Sequence, residues 1–471
     1  MLPTMTLMSE TKSSSLAEPL PRATDQTNLT LLSYTVPWPR SSLLAFLHQA
    51  GHAPRVYWEN EQLDLGLAGY GAALTLQAHD QSRFESIQCQ ARQLFEQAIL
   101  LPSNAPADVG PRLFGGFAFQ VRDRLPGLWS AFPAACFMLP RYQLTHAHGQ
   151  AWLTVNHLLP PQAYVPHSLE QLRAEILRLP ATPNLNGASK NRLTLRADDL
   201  TAQAAWCHAV AQATQRIQGG HLDKVVLARA RRLEADRPIA PLEVLARLRQ
   251  KYPNCYRFLF EPVPGHAFYG ATPELLAEVN GAELRTVALA GSIGRGQTLP
   301  EDEALGRQLL AHPKECHEHA LVVEAVQESL QPLVSHLSIA AQPSLLKLSN
   351  IQHLQTAITG RLTGQPGILP VVAALHPTPA LGGRPRALAL PLIEETEPVA
   401  RGWYGSPIGW LDSDLNGMFA VAIRSAVSAG REALLYAGAG IVADSVPEKE
   451  WQETQLKFRP LLEALAGEGC P

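Results

Sequence analysis

The chain has 471 residues, 46% of them hydrophobic and 17% charged, enough to bury a large core in an ordinary globular protein. A net charge of −3 gives no basic field for nucleic acid, and no apolar run reaches the roughly 18–20 residues that cross a bilayer, so neither nucleic acid nor membrane is an expected partner. Six scattered cysteines without a Cys-x-x-Cys pair suit reduced thiols, and the expected location is cytoplasmic.

Residues 1–29 are polar and rich in Ser and Thr, with neither a basic start nor an apolar core, so they read as a disordered tail and not a signal peptide. From 30 to 190 short strands alternate with helices in an N-terminal α+β half. Arg55–Trp58 and Leu74–Ala78 are strand-like, and 81–101 places Phe84, Ile87, Ala91, Leu94, Phe95 and Ala98 at helical spacing. Leu113–Phe119 is an aromatic strand whose glycines permit close backbone approach, and 180–191, rich in Pro, Asn and Gly, is the best linker.

The second region, 198–467, carries denser signals. A helix over 198–217 stops at Gly219-Gly220, a strand begins at Lys224, and a helix covers 241–252. Strands follow at 255–260, 267–270 and 276–280, then helix over 300–330, restarted at Pro313. Strands return at 409–411, 417–427 and 433–439, and a glycine-rich turn leads into a last helix at Pro447, with Ser445 and Glu448 spaced as a capping box. Hairpin-like connections after 400 and the lack of repeats favour α+β with large antiparallel sheets.

Several residues on this frame can carry chemistry. Lys224 opens an apolar strand; facing inward it is a desolvated amine fit to act as a base, while a strand end equally suits a side chain that snorkels to solvent. Glu274 follows Gly270, Thr272 and Pro273 at a strand-to-strand junction, where functional carboxylates and ordinary turns both occur. Gly291-Ser292 ends a small-residue run and offers an amide and a hydroxyl to a carboxylate, or simply a tight packing spot. Glu315 and Glu318 lie i, i+3 beside an apolar stripe, and they match Glu450 and Glu453, which share a face of the last helix with Lys457. Two such helices facing each other would offer the hard oxygens that Mg²⁺ takes, few from protein and the rest from water and substrate; solvated ion pairs are the plain alternative. A rigid Pro/Gly loop carries His376 and Thr378. Further on come Tyr404 and Arg424, whose guanidinium, in an apolar strand, needs a carboxylate partner from protein or ligand. His312, Cys316, His317 and His319 are a dense set of zinc-type ligands without a second group at matching spacing, and Gly66–Gly71 lacks the order of a nucleotide loop.

In chain order, Lys224, Glu274, Gly291-Ser292, Glu318, the His376 loop, Arg424, Gly438-Ala439-Gly440, Glu453 and Lys457 resemble the chorismate-utilising enzymes. That family includes isochorismate synthase, salicylate synthase, anthranilate synthase component I and aminodeoxychorismate synthase component I. The likeness runs from about 200 to the C-terminus and is strongest in His376–Gly383 and Gly438–Thr454; Phe114–Phe117 and the Tyr57-Trp58 region also look like the N-terminal half of isochorismate synthases.

The resemblance implies an α+β fold with large antiparallel sheets packed in a sandwich and helices on the outside, the N-terminal half, 30–190, contributing to the shared sandwich. It implies Lys224 as the base that activates water and Glu274 as the acid that protonates the leaving hydroxyl. Ammonia-using relatives lack a lysine at the Lys224 position, and aminodeoxychorismate synthases carry one where Ala290 stands, so water is the expected nucleophile. The implied activity is Mg²⁺-dependent conversion of chorismate to isochorismate, with salicylate synthase as the alternative. Glu318 and Glu453 are the implied metal ligands, supported by Glu315 and Glu450. Gly291, Ser292 and Lys457 fall to the ring carboxylate, Tyr404, Arg424, Gly438 and Gly440 to the pyruvyl carboxylate, and Ala380 to the substrate wall. The implied assembly is a monomer without a glutaminase subunit.

Overall fold

Antiparallel pairing dominates the computed structural model, which describes residues 29–106, 108–122, 125–180, 194–348 and 351–467. The expected tail, save its last residue, most of the 180–191 linker and Cys470 lie outside the described residues. One sheet runs in the order Leu195–Asp199, Lys224–Ala235, Glu432–Ile441, Ser425–Ala429, His266–Thr272, Tyr256–Val263, Arg55–Asn60, Leu65–Ala78, Ala135–Ala147, Gln150–Leu159 and Thr30–Pro37. A parallel ladder adds Ile99–Leu101 to its edge. The strand Ala135–Ala147 is long enough to serve both layers. Its first residues pair with Arg112–Phe117, from which the second sheet continues through Pro407–Asp412, Gly417–Val421, Leu275–Asn280, Glu283–Gly294 and Ile351–Leu362.

Large apolar side chains from both sheets meet between the layers: Trp58, Phe258, Phe260 and Phe268 from one, Phe114, Trp410 and Met418 from the other, with Trp403 from a loop. On the outer faces, Pro313–Leu330 and Ile368–Leu375 cover the second sheet, Arg83–Glu96 packs on Leu65–Ala78 and Ala135–Ala147 where the two sheets join, and Leu43–His48, Pro241–Lys251 and Pro447–Ala466 cover the first. This is the expected sandwich with helices outside. Each helix buries one stripe, as Gln203–Gln218 does with Trp206, Val210, Ala213 and Ile217. No helix of the described residues is long and apolar enough to cross a membrane.

Five local expectations are corrected. The helix expected from 198 begins at Gln203, because Leu195–Asp199 forms a strand and Asp199 receives Arg229 and Arg231. The helix expected over 81–101 ends at Glu96, and Ile99–Leu101 joins a sheet edge. The strand expected over 417–427 breaks at Arg424, which has φ +51°. The Ser445–Glu448 capping box does not form: Ser445 Oγ accepts from the Val442 N–H, and Val446 takes the cap position without a side-chain bond. Gly438 and Gly440 lie inside a strand, not in a turn.

Candidate active site

Lys224 settles which way its strand faces. It is 1% exposed, so it does not snorkel, and its Nζ donates to Glu318 Oε1 at 2.7 Å. The Leu375–Gly383 loop comes up against this strand through Gly383, at φ +140°, where any Cβ would collide with the Lys224 carbonyl. Across the same strand, Gly440 pairs with Val226, and a Cβ there would lie 2.8 Å from Glu318 Oε1 and 3.0 Å from Lys224 Cε. The missing side chain makes room for the Lys224–Glu318 contact.

A cleft open at its mouth is lined by the residues to which the resemblance gives a role: Lys224, Glu274, Gly291, Ser292, Glu315, Glu318, Ala380, Tyr404, Arg424, Gly438, Gly440, Glu450, Glu453 and Lys457. Glu274 enters at the start of Leu275–Asn280, fixed by its amide to Thr272 Oγ1 at 3.3 Å and by its carbonyl to the Val421 N–H at 3.0 Å. Burial pushes its carboxyl up to about 8 against the opposing pull of Lys224, Lys457 and Arg424. At neutral pH it therefore favours its protonated form. Gly291, at φ +77°, forms a bulge in the ladder with Ile351–Leu362, and the bulge turns the Ser292 N–H onto Glu315 Oε2 at 3.0 Å. Ser292 Oγ sits 2.6 Å from His353 Nδ1.

Four glutamates from two helices reach this cleft, and three of them meet lysines. Lys224 takes Glu318, Lys457 takes Glu453 at 2.5 Å, and Lys314 approaches Glu450 at 3.7 Å. Lys457 Nζ also donates to the Gly438 carbonyl at 2.8 Å. Burial and then the neighbouring carboxylates raise Glu315, and burial with Glu453 raises Glu450 to about 7. Glu453 goes the other way: burial acts to raise it, but Lys457 outweighs that and holds it low. Among the described residues no group of three His, Cys, Asp or Glu side chains is gathered as a ready-made metal cage. The donor set nonetheless fits Mg²⁺, which takes one or two carboxylates and keeps water and substrate as its other ligands. Crowded carboxylates driven toward protonation are what an added cation relieves.

The C-terminal helix is held over the cleft by Arg229, from the same strand as Lys224. Its guanidinium donates to Thr454 Oγ1 at 2.8 Å and lies 3.6 Å from the Trp451 ring. Arg424 ends its strand by leaving the β region, so the ladder between Ser425–Ala429 and Glu432–Ile441 stops at Leu435 and frees the next residues to wall the cleft. Its Nη1 donates to the Lys457 carbonyl at 3.4 Å, and no carboxylate of the described residues lies in ion-pair reach of it. Tyr404 stacks on Tyr436 at 5.0 Å.

Lys314, His353, Ile423 and Tyr436 also line the cleft, and the sequence did not single them out. Lys314 was within reach, directly preceding Glu315; His353 sits in a sheet strand with no local signal. Its imidazole is driven down to about 3 by burial and then by Arg424 and Lys457, so it is neutral. Two other candidates fall outside. His376 is buried and donates to the Phe119 carbonyl at 3.2 Å, a structural contact. Of the zinc-type set, His319 bonds Thr356 Oγ1 and the Cys316 thiol donates to the Leu310 carbonyl, so the two do not converge.

A buried amine and a buried carboxyl pushed toward its protonated form thus share one cleft with further lysines, an arginine and glutamates. The chain belongs to the chorismate-binding enzyme family, whose model matches residues 18–466. It is 38% identical over 429 residues to the salicylate biosynthesis isochorismate synthase of Pseudomonas aeruginosa, covering 88% of this chain and 86% of that protein. It is 35% identical over 423 residues to the isochorismate synthase MenF of Bacillus subtilis, covering 88% of each. Its fold is similar to the menaquinone-specific isochorismate synthase MenF of Escherichia coli, with TM-score 0.78, 30% identity, and 95% and 96% of the two chains covered.

Proposed function

We propose that the protein is an isochorismate synthase, converting chorismate reversibly to isochorismate. The observation that carries this is the protonated Glu274 in one cleft with the buried Lys224 amine. Lys224, in its neutral amine form, takes a proton from the water whose oxygen bonds to C2. The ring double bonds shift, and the C4–O bond breaks as Glu274 gives its proton to the departing hydroxyl, which leaves as water. Water in and water out balance, so the reverse reaction uses the same two residues with roles exchanged.

The other walls orient the two carboxylates of the substrate. Arg424, without a carboxylate partner among the described residues, and Tyr404 suit the pyruvyl carboxylate, while Ser292 and Lys457 lie toward the ring carboxylate. Glu318 and Glu453 would hold Mg²⁺, which when bound would supply positive charge to the anionic substrate. With water as nucleophile the chain acts alone, as a monomer with no glutaminase subunit.

Incubating the purified protein with chorismate and Mg²⁺ and resolving products by chromatography tests this. Isochorismate is expected, lost with a chelator and restored by Mg²⁺; salicylate plus pyruvate would point instead to salicylate synthase. Lys224→Ala and Glu274→Gln should each lower kcat by on the order of 10²–10⁴ with an unchanged circular dichroism spectrum. Wild-type turnover in either variant would remove it from its role.

A further inference from the structure

One edge of the Lys224 strand loses its neighbour where it forms the cleft wall. Gly383 and Arg384 pair with Val225 and Lys224, and the Val226 N–H donates to the Gly382 carbonyl at 2.9 Å. Beyond that point no strand of the described residues continues along this edge until Leu195–Asp199 joins at Arg231. Two side chains stand in for the missing strand. Glu397 Oε1 accepts the Ala228 N–H at 2.7 Å, and Arg401 Nη2 donates to the Val226 carbonyl at 2.8 Å.

These two residues are locked to each other and to the opposite wall. Arg401 Nε donates to Glu397 Oε2 at 2.9 Å, and the two side chains are 3% and 6% exposed. Arg401 Nη1 donates to the Leu381 carbonyl at 2.8 Å, and the guanidinium lies 4.2 Å from the Phe119 ring. The Tyr404 N–H donates to the Arg401 carbonyl at 3.0 Å. Val226, Leu381 and Tyr404 all line the cleft, and Lys224 lies two residues before Val226. A buried ion pair adds little net stability over apolar packing, because both charges lose their water. The planar fork of an arginine does, however, fix three acceptors in one geometry, which a lysine cannot.

We propose that Arg401 and Glu397 are positioning residues for the reaction. They replace a strand on the open edge of Lys224–Ala235 and set Lys224 against the Ala380–Leu381 loop and Tyr404. The kinetic part of this rests on the isochorismate synthase reading; the structural part does not.

The test uses the full chain with Arg401→Lys, which keeps the charge and loses the fork, and Glu397→Gln, which keeps an acceptor for the Ala228 N–H. Hydrogen exchange and chorismate kinetics are measured on the same preparations. In Arg401→Lys, exchange at residues 226–228 should quicken by about tenfold or more while the Arg55–Asn60 and Tyr256–Val263 strands keep wild-type rates. Its kcat should fall by about tenfold or more, with the chorismate KM within about threefold of wild type. Glu397→Gln should lie between Arg401→Lys and wild type in both measurements, and it carries the test if Arg401→Lys does not fold. Unchanged exchange over 226–228, or a folded Arg401→Lys with kcat within about twofold of wild type, overturns the proposal. Quickened local exchange in a protein whose wild type leaves chorismate untouched would sink the function reading and leave the strand replacement standing.

Discussion

Glu274 is a carboxylic acid at neutral pH because its surroundings offer too little water to stabilise the anion. Burial outweighs the pull of three cations, and its proton leaves only near pH 8. Two consequences have the same sign. As the proton donor it must be charged with its proton, so kcat/KM should fall above about pH 8, approaching tenfold per pH unit. A group whose folded-state affinity for its proton is raised also contributes stability that is complete below the unfolded value of 4.5 and is lost as pH rises through about 8. Glu274→Gln cannot ionise, so its melting temperature should fall less than that of wild type between pH 6 and pH 9. Equal slopes for the two proteins would show that Glu274 is ionised throughout.

The strand Glu432–Ile441 leaves space at Gly440 that two charged side chains from other elements fill, Lys224 from Lys224–Ala235 and Glu318 from Pro313–Leu330. Gly440→Ala puts a methyl group 2.8 Å from Glu318 Oε1 and 3.0 Å from Lys224 Cε, both movable side-chain atoms and not backbone. The fold can yield there cheaply and the catalytic geometry cannot, so turnover should drop by on the order of 10²-fold with little change in melting temperature. Steady-state kinetics beside a thermal melt decides it; wild-type turnover would mean that the Lys224–Glu318 contact does not matter to the reaction. Elements of this kind differ in how far the sequence exposed them. The stripe Trp206, Val210, Ala213, Ile217 repeats at helical spacing, so that helix face was readable. Arg424 was read as mid-strand, because nothing local marks a positive φ; only the cleft it borders explains the break. Of the lysine–glutamate pairs, Glu453–Lys457 is offered by i, i+4 spacing on one helix, whereas the Lys224 pair has no local signal. Lys224 and Glu318 are 94 positions apart, and the contact exists only once two sheets and a helix are assembled.

At the scale of the molecule, the two sequence regions share both sheets. Arg55–Asn60 lies between Leu65–Ala78 and Tyr256–Val263, and Arg112–Phe117 lies between Ala135–Ala147 and Pro407–Asp412. The order of site residues along the chain could be matched to a family without this, since motifs survive as local strings; the interleaving of strands leaves no such string. It has an energetic consequence. Without residues 1–190, Tyr256–Val263 and Pro407–Asp412 become open edges, and Phe258, Phe260, Trp403 and Met418 lose the cover of Trp58, Phe114 and Met138. Exposing these four large side chains at about 1.5–3 kcal/mol each costs about 6–12 kcal/mol, comparable to the roughly 5–15 kcal/mol by which a domain is stable. A fragment of residues 191–471 carries every site residue named above and should nevertheless fail to fold. Circular dichroism and size-exclusion chromatography of that fragment check this: a monodisperse, folded fragment that turns over chorismate would show that the core is not shared.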